Sequence, residues 1–158
     1  MIENILILLW VLFLVAFSTF VFKRYFDKSS SYPFQDYEKS DLPFITVIVN
    51  GKHLNMIADS AAGVSVIRKD SLEGLVYEPS TRKVDMCAIT SDGLKSEVVT
   101  LTLTINGKEI KNDFVVYDSP DIAGFSMHGI SMDGILGVEF FKKTKGRVDF
   151  EKQCVIFP

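Results

Sequence analysis

The chain opens on one apolar block and then changes period. From Ile5 to Phe22 it reads ILILLWVLFLVAFSTFVF, uncharged, with Ser18 and Thr19 as its only polar positions. At about 1.5 Å per residue such a run makes about 27 Å of helix, close to the thickness of a hydrocarbon core. It is apolar on every face, so it predicts a single transmembrane helix over 5–22 behind a short tail, residues 1–4. Lys23 and Arg24 follow at once, with Trp10 and Tyr25 as weaker interface residues. A cleaved signal peptide is the competing reading, with Ala16-Phe17-Ser18 as its cleavage site. The early Glu3 in place of a basic n-region, and the length of the run, favour the uncleaved anchor. Lys23, Arg24 and Lys28 then lean the C-terminal domain to the cytoplasmic side of a single-pass membrane protein, with lipid as the partner of the helix.

Residues 23–41 read as a juxtamembrane linker. Asp27 to Asp41, DKSSSYPFQDYEKSD, is serine and charge with one proline and no apolar period. Its aromatics Tyr32, Phe34 and Tyr37 leave open the alternative of packing on the domain. From Leu42 the chain turns to short strands. Phe44 to Val49 and Lys52 to Ala58 flank Asn50-Gly51, and Val98 to Ile105 and Glu109 to Tyr117 flank Asn106-Gly107. Asn-Gly between apolar runs is the strongest short hairpin signal. Leu101, Leu103 and Ile105 alternate with threonines, as in a half-buried strand. A further hairpin is expected from Arg82 to Val99, turning near Ser91-Asp92-Gly93. Val138 to Thr144 predicts a short helix stopped by Gly146, and Arg147 to Phe150 with Gln153 to Phe157 a last hairpin. Residues 42–158 therefore read as one mostly β domain with one short C-terminal helix.

Composition narrows the chemistry. With 17 basic against 20 acidic residues the net charge is -3, which argues against nucleic acid as a partner. Two cysteines exclude a disulfide-dense scaffold and a four-cysteine zinc site, and two histidines exclude a histidine-rich metal centre. No glycine-rich loop carries the lysine and serine of a phosphate-binding loop. Cys87 with His53 or His128 lacks any local sequence that supports a nucleophile and its base. No metal or cofactor is called for.

One segment stands out. Met56 to Ile67, MIADSAAGVSVI, delivers an aspartate from an apolar strand into a run of small residues. Small side chains let backbone approach a ligand or a second copy of the loop. A carboxylate there must be paired, hydrogen-bonded or protonated. The plain alternative is an aspartate that caps its own loop.

A second segment, Asp133 to Pro158, begins DGILGVEFFKK. Together the two segments resemble the retropepsin-like (retroviral-type) aspartic proteases, and the resemblance spans nearly all of Leu42 to Phe157. The family's loop of aspartate, hydroxyl residue, glycine, alanine and hydroxyl residue matches Asp59, Ser60, Ala61, Ala62 and Gly63. Its late motif of two apolar residues and glycine matches Ile135, Leu136 and Gly137. The flap would be Cys87 to Glu97, with its tip at Ser91, Asp92 and Gly93. The resemblance implies a closed β-barrel of the acid-protease fold and a catalytic Asp59. The chemistry needs two carboxyl groups sharing a proton around one water, and the chain offers one such loop. It therefore implies a homodimer with Asp59 from each subunit, acting as a membrane-anchored endopeptidase on protein or peptide substrates.

Two positions depart from the family pattern. Ala61 stands for glycine, where a methyl group is expected to crowd the substrate or the loop. Gly63 stands for serine or threonine, so a hydroxyl that helps to hold the loop is lost. These departures favour an alternative function, a catalytically impaired domain that dimerises or binds peptide by strand addition.

Overall fold

The computed structural model describes residues 10, 12–18, 30–82, 84–85, 95–118, 126–127 and 130–158. Two units divide the chain, Met1–Ser29 with Pro158, and Ser30–Phe157.

In the first unit, residue 10 and residues 12–18 are helical. Trp10 meets Phe13 edge-on at 6.2 Å, and Phe13 stacks on Phe17 at 6.0 Å. This is the i, i+3, i+4 spacing of neighbours on a helix face. The expected transmembrane helix is not found: among the described residues no helix is long and apolar enough to cross a membrane.

The second unit begins with strand β1, Ser30–Pro33, and a single helical turn, α1, Tyr37–Ser40. Strands β2, Phe44–Val49, and β3, Lys52–Ala58, form the first hairpin, followed by β4, Val66–Arg68, and β5, Glu78–Pro79. The short strands β6, Val84–Asp85, and β7, Lys95–Ser96, pair with each other. They are the base of the hairpin expected over 82–99, and its tip at Ser91, Asp92 and Gly93 lies outside the described residues. Then come β8, Val98–Ile105, β9, Lys108–Tyr117, β10, Ser126–Met127, and β11, Ile130–Ser131. The chain ends with β12, Gly134–Leu136, helix α2, Val138–Thr144, β13, Arg147–Asp149, and β14, Cys154–Phe157.

The main sheet runs β2-β3-β12-β4-β9-β8-β5, and a further β2–β8 pairing closes it into the expected barrel. Both Asn-Gly turns have the left-handed backbone that tight hairpins demand: Asn50 and Gly51 at φ 49° and 81°, Asn106 and Gly107 at 55° and 70°. Alternate residues of β8, Leu101, Leu103 and Ile105, fill the barrel with Val47, Leu54, Met56, Phe114 and Leu136. Helix α2 closes one end. Its Phe140 is fully buried and meets Phe157 edge-on at 5.9 Å. Truncating such a ring to alanine costs about 3–5 kcal/mol. The helix covers the expected Val138–Thr144, and Lys145 after it takes the left-handed conformation at φ 54°. Gly146 has another reason to be glycine: a Cβ there would stand 2.7 Å from the Phe157 ring.

The linker expected over 23–41 is corrected at its second half. Ser30–Pro33 pairs antiparallel with Cys154–Phe157, and Tyr32, Phe34 and Tyr37 pack on the barrel core. Burial of three aromatic rings outweighs the polar composition around them.

Candidate active site

The aspartate loop and the late glycine motif lie side by side. Strand β12 is inserted between β3 and β4, parallel to the first and antiparallel to the second. Ile135 stands opposite Ile57, and Leu136 opposite Ala58. Gly134 makes this possible, since a Cβ there would come 2.3 Å from the Val66 carbonyl oxygen. Beyond the strands the contact continues. Asp59 donates its backbone N–H to the Leu136 carbonyl at 3.1 Å, and Val138 donates to the Ala62 carbonyl at 2.8 Å.

Gly137 is the closest point. A Cβ on it would fall 2.4 Å from the Val64 carbonyl oxygen and 2.9 Å from that of Ala62. Any side chain would force the aspartate loop away. The N–H of Gly137 donates to the hydroxyl of Ser65 at 3.0 Å, and Ser65 is 1% exposed. The carbonyl of Ser65 in turn accepts from Val115 on β9 at 2.9 Å. Ser65 thus fastens the far end of the loop to the start of helix α2 and to strand β9.

Asp59 follows β3 directly and is half-buried, with Ser60, Ala61 and Gly63 exposed beside it. Its Oδ1 accepts the backbone N–H of Ala61 at 2.8 Å, and its carbonyl accepts that of Ala62 at 3.3 Å. The two positions expected to weaken the loop, Ala61 and Gly63, are both exposed. An alanine N–H serves the carboxylate as a glycine N–H would, and the Ala61 side chain lies on the exposed side. At Gly63 a Cβ would meet nothing within 4 Å. The Ser65 hydroxyl, two residues on, helps to hold the loop.

Two supports were not assigned a role in the sequence. Ser65 carries one signal, a polar residue at a buried register in the apolar run Val64 to Ile67. Asp133 is the other. Its Oδ2 accepts the N–H of Asn55 on β3 at 2.7 Å, and its Oδ1 accepts the Ser71 hydroxyl at 2.8 Å. It also exchanges backbone bonds with Asn55 and Arg68, which lie on the two strands flanking β12. Asp133 is thus a clamp that sets β12 in register, and its partners come from distant parts of the chain.

The inner and outer faces of this sheet differ. Met56, Ala58 and Leu136 turn into the barrel. Ile57 and Ile135 turn the other way, half-buried, against a small cluster of Phe44, Ile130 and Met132 with Leu42. Ile57 is two positions before Asp59, so the carboxylate stands on the side of this apolar surface.

An apolar strand is inserted beside an aspartate loop in a closed barrel, an architecture shared with solved proteases. The fold is similar to the retroviral protease-like domain of Ddi1 from Leishmania major, at 19% identity over 73% of this chain and 87% of that one, with a TM-score of 0.51. It is similar also to a retropepsin-like aspartic protease from Rickettsia conorii, at 20% identity over 82% of this chain and 89% of that one, with a TM-score of 0.52. At such identities the likeness defines the fold, which is retropepsin-like. The family model described as aspartyl protease matches residues 45–140, more than half of the chain, and the chain belongs to that family. No curated protein matches it in sequence.

Proposed function

We propose that this protein is an aspartic endopeptidase that cleaves peptide bonds as a homodimer, with Asp59 contributed by each subunit. The observation that carries the reading is the position of Asp59. It follows an apolar strand directly, accepts an N–H from its own loop, and donates its backbone N–H to Leu136, next to Gly137, which packs on Ala62 and Val64 of the same loop. A braced carboxylate of this kind reacts without first having to be ordered.

In the proposed dimer the two Asp59 carboxyl groups share one proton and hold a water between them. The ionised group takes a proton from the water as it attacks the scissile carbonyl. The protonated group donates to the carbonyl oxygen as it becomes a hydroxyl. Collapse of the tetrahedral diol breaks the C–N bond: the leaving nitrogen takes the proton that the first group removed from the water, and one diol hydroxyl gives its proton to the second group, which restores the pair. Substrate enters as an extended chain, and Ile57 with Ile135 offers its side chains an apolar wall beside Asp59. The hairpin based on β6 and β7 is proposed as the cover over that chain.

The test is cleavage of a broad peptide library by the full chain between about pH 4 and 7. Cleavage that vanishes in Asp59→Asn supports the reading. Peptide binding without cleavage in the unaltered chain contradicts it and supports the binding module instead.

A further inference from the structure

The apolar surface on the side of Asp59 has a floor and a roof. The floor is the row of Phe44, Ile57 and Ile135, neighbours across β2, β3 and β12. The roof is Ile130 and Met132, both buried, from the segment that leads into β12. That segment has little support of its own. Strands β10 and β11 are two residues long and pair with each other as a separate sheet. Asp133 is fastened to both strands that flank β12, so the freedom left to the roof lies at Ser131 and Met132. Among the described residues one side chain ties these two to the main sheet, that of Arg68.

On β4 Ile67 enters the barrel core, so Arg68 stands on the outer side with the floor. Its side chain keeps only 13% of its surface exposed. Nη1 donates to the Met132 carbonyl at 3.0 Å, with the Ser131 hydroxyl at 3.5 Å. Nε donates to Asp70 Oδ1 at 2.9 Å, and Nη2 donates to Asp70 Oδ2. The carboxylate of Asp70 thus aims the rigid fork, and the remaining nitrogen holds Met132. An ion pair that served stability alone would not need the third bond.

We propose that Arg68 is a positioning residue for substrate selection: by pinning Met132 it sets how close Ile130 and Met132 lie to Ile57 and Ile135, and so the shape offered to an apolar substrate side chain beside the cleaved bond. This rests on the reading of Asp59 as the cleaving group, which makes the surface part of the substrate site. Arg68 itself touches neither the substrate nor the reacting atoms.

Two peptides test it on the full chain. They derive from one sequence cut in the library and differ only in the residue before the cleaved bond, phenylalanine or alanine. The unaltered chain is expected to prefer phenylalanine. Arg68→Met keeps an apolar stem and removes the fork. It is expected to lower that preference, taken as the ratio of the two kcat/KM values, by about tenfold, through KM of the phenylalanine peptide and with kcat changed by less than about twofold. The ratio is blind to stability, since a loss of folded molecules lowers both rates alike. Arg68→Lys keeps the charge but cannot hold Asp70 and Met132 together, so it should lower the preference by about threefold, and it carries the test if Arg68→Met does not fold. A preference unchanged in the folded variant, or absent from the unaltered chain, overturns the role of Arg68 while Asp59-dependent cleavage stands. If the unaltered chain binds the peptides without cutting them, the reading of Asp59 fails by itself. The ratio of dissociation constants, measured by fluorescence anisotropy, then decides: its fall in Arg68→Met supports the positioning role, and its constancy overturns it. A chain that neither cuts nor binds overturns both.

Discussion

The backbone N–H of Gly137 donates to the Ser65 hydroxyl at 3.0 Å, and both ends of the bond are buried. This bond joins the end of the aspartate loop to the start of helix α2. Ser65→Ala leaves a buried N–H without a partner and is expected to cost about 1–3 kcal/mol of stability. Urea unfolding followed by circular dichroism measures it. The loss of cleavage should exceed what the unfolded fraction explains, because the loop that carries Asp59 loses its anchor.

The two glycines around this loop should respond in opposite ways. Gly137→Ala drives a methyl group into the Val64 carbonyl and is expected to cost about 1–3 kcal/mol or more. Gly63→Ala enters open space at an ordinary φ and is expected to be neutral, or to stabilise by about 0.4–1 kcal/mol through the unfolded chain. Thermal melts of the two variants side by side make the comparison.

Asp133 is expected to matter for stability although it bears no catalytic role. Asp133→Ala strands the Asn55 N–H and the Ser71 hydroxyl, which accounts for a loss of about 1–3 kcal/mol. Asp133→Asn keeps two acceptor lone pairs on one oxygen and should lose less. Denaturant midpoints of the three proteins give the order.

A small acid-sensitive term is expected at the surface. The hydrogen bond from Arg68 holds the Asp70 carboxyl below its usual 3.8, against a smaller upward push from burial, with the Arg68 charge adding to the lowering. The folded value lies below the unfolded one. The stabilisation is therefore full above the unfolded value and disappears as pH falls through the folded one. Asp70 is exposed, although most of the Arg68 side chain is covered, so Asp70→Asn should cost under about 1 kcal/mol at neutral pH. The difference from the unaltered protein should close in acid. Urea midpoints at about pH 7 and pH 2.5 check the sign, and a difference that grows in acid contradicts it.

The hairpins around Asn50-Gly51 and Asn106-Gly107 were legible because alternation and turn chemistry are both local. The meeting of Asp59 with Gly137 was legible only through the family resemblance, since nothing in either segment alone points to the other. Strand β1 was hidden for a physical reason: its four residues, Ser30 to Pro33, carry no strand pattern, and they are ordered by β14 at the other end of the chain. The apolar run over 5–22 suggested a membrane span from hydropathy alone, and among the described residues no helix is long and apolar enough to cross a membrane. Ser65 and Asp133 escaped notice because their partners are 72 and 78 residues away in sequence.

Subunit mixing bears most directly on the shared site. The unaltered chain is combined with an equal amount of Asp59→Asn under conditions of free exchange, and cleavage is compared with the same total amount of unaltered chain. Asp59→Asn keeps the acceptor for the Ala61 N–H, so the altered subunits should fold and pair normally. If each site needs one Asp59 from each of two chains, about one quarter of the activity remains, the share of dimers with both carboxylates. Retention of about one half, the value for chains that work singly, contradicts the account.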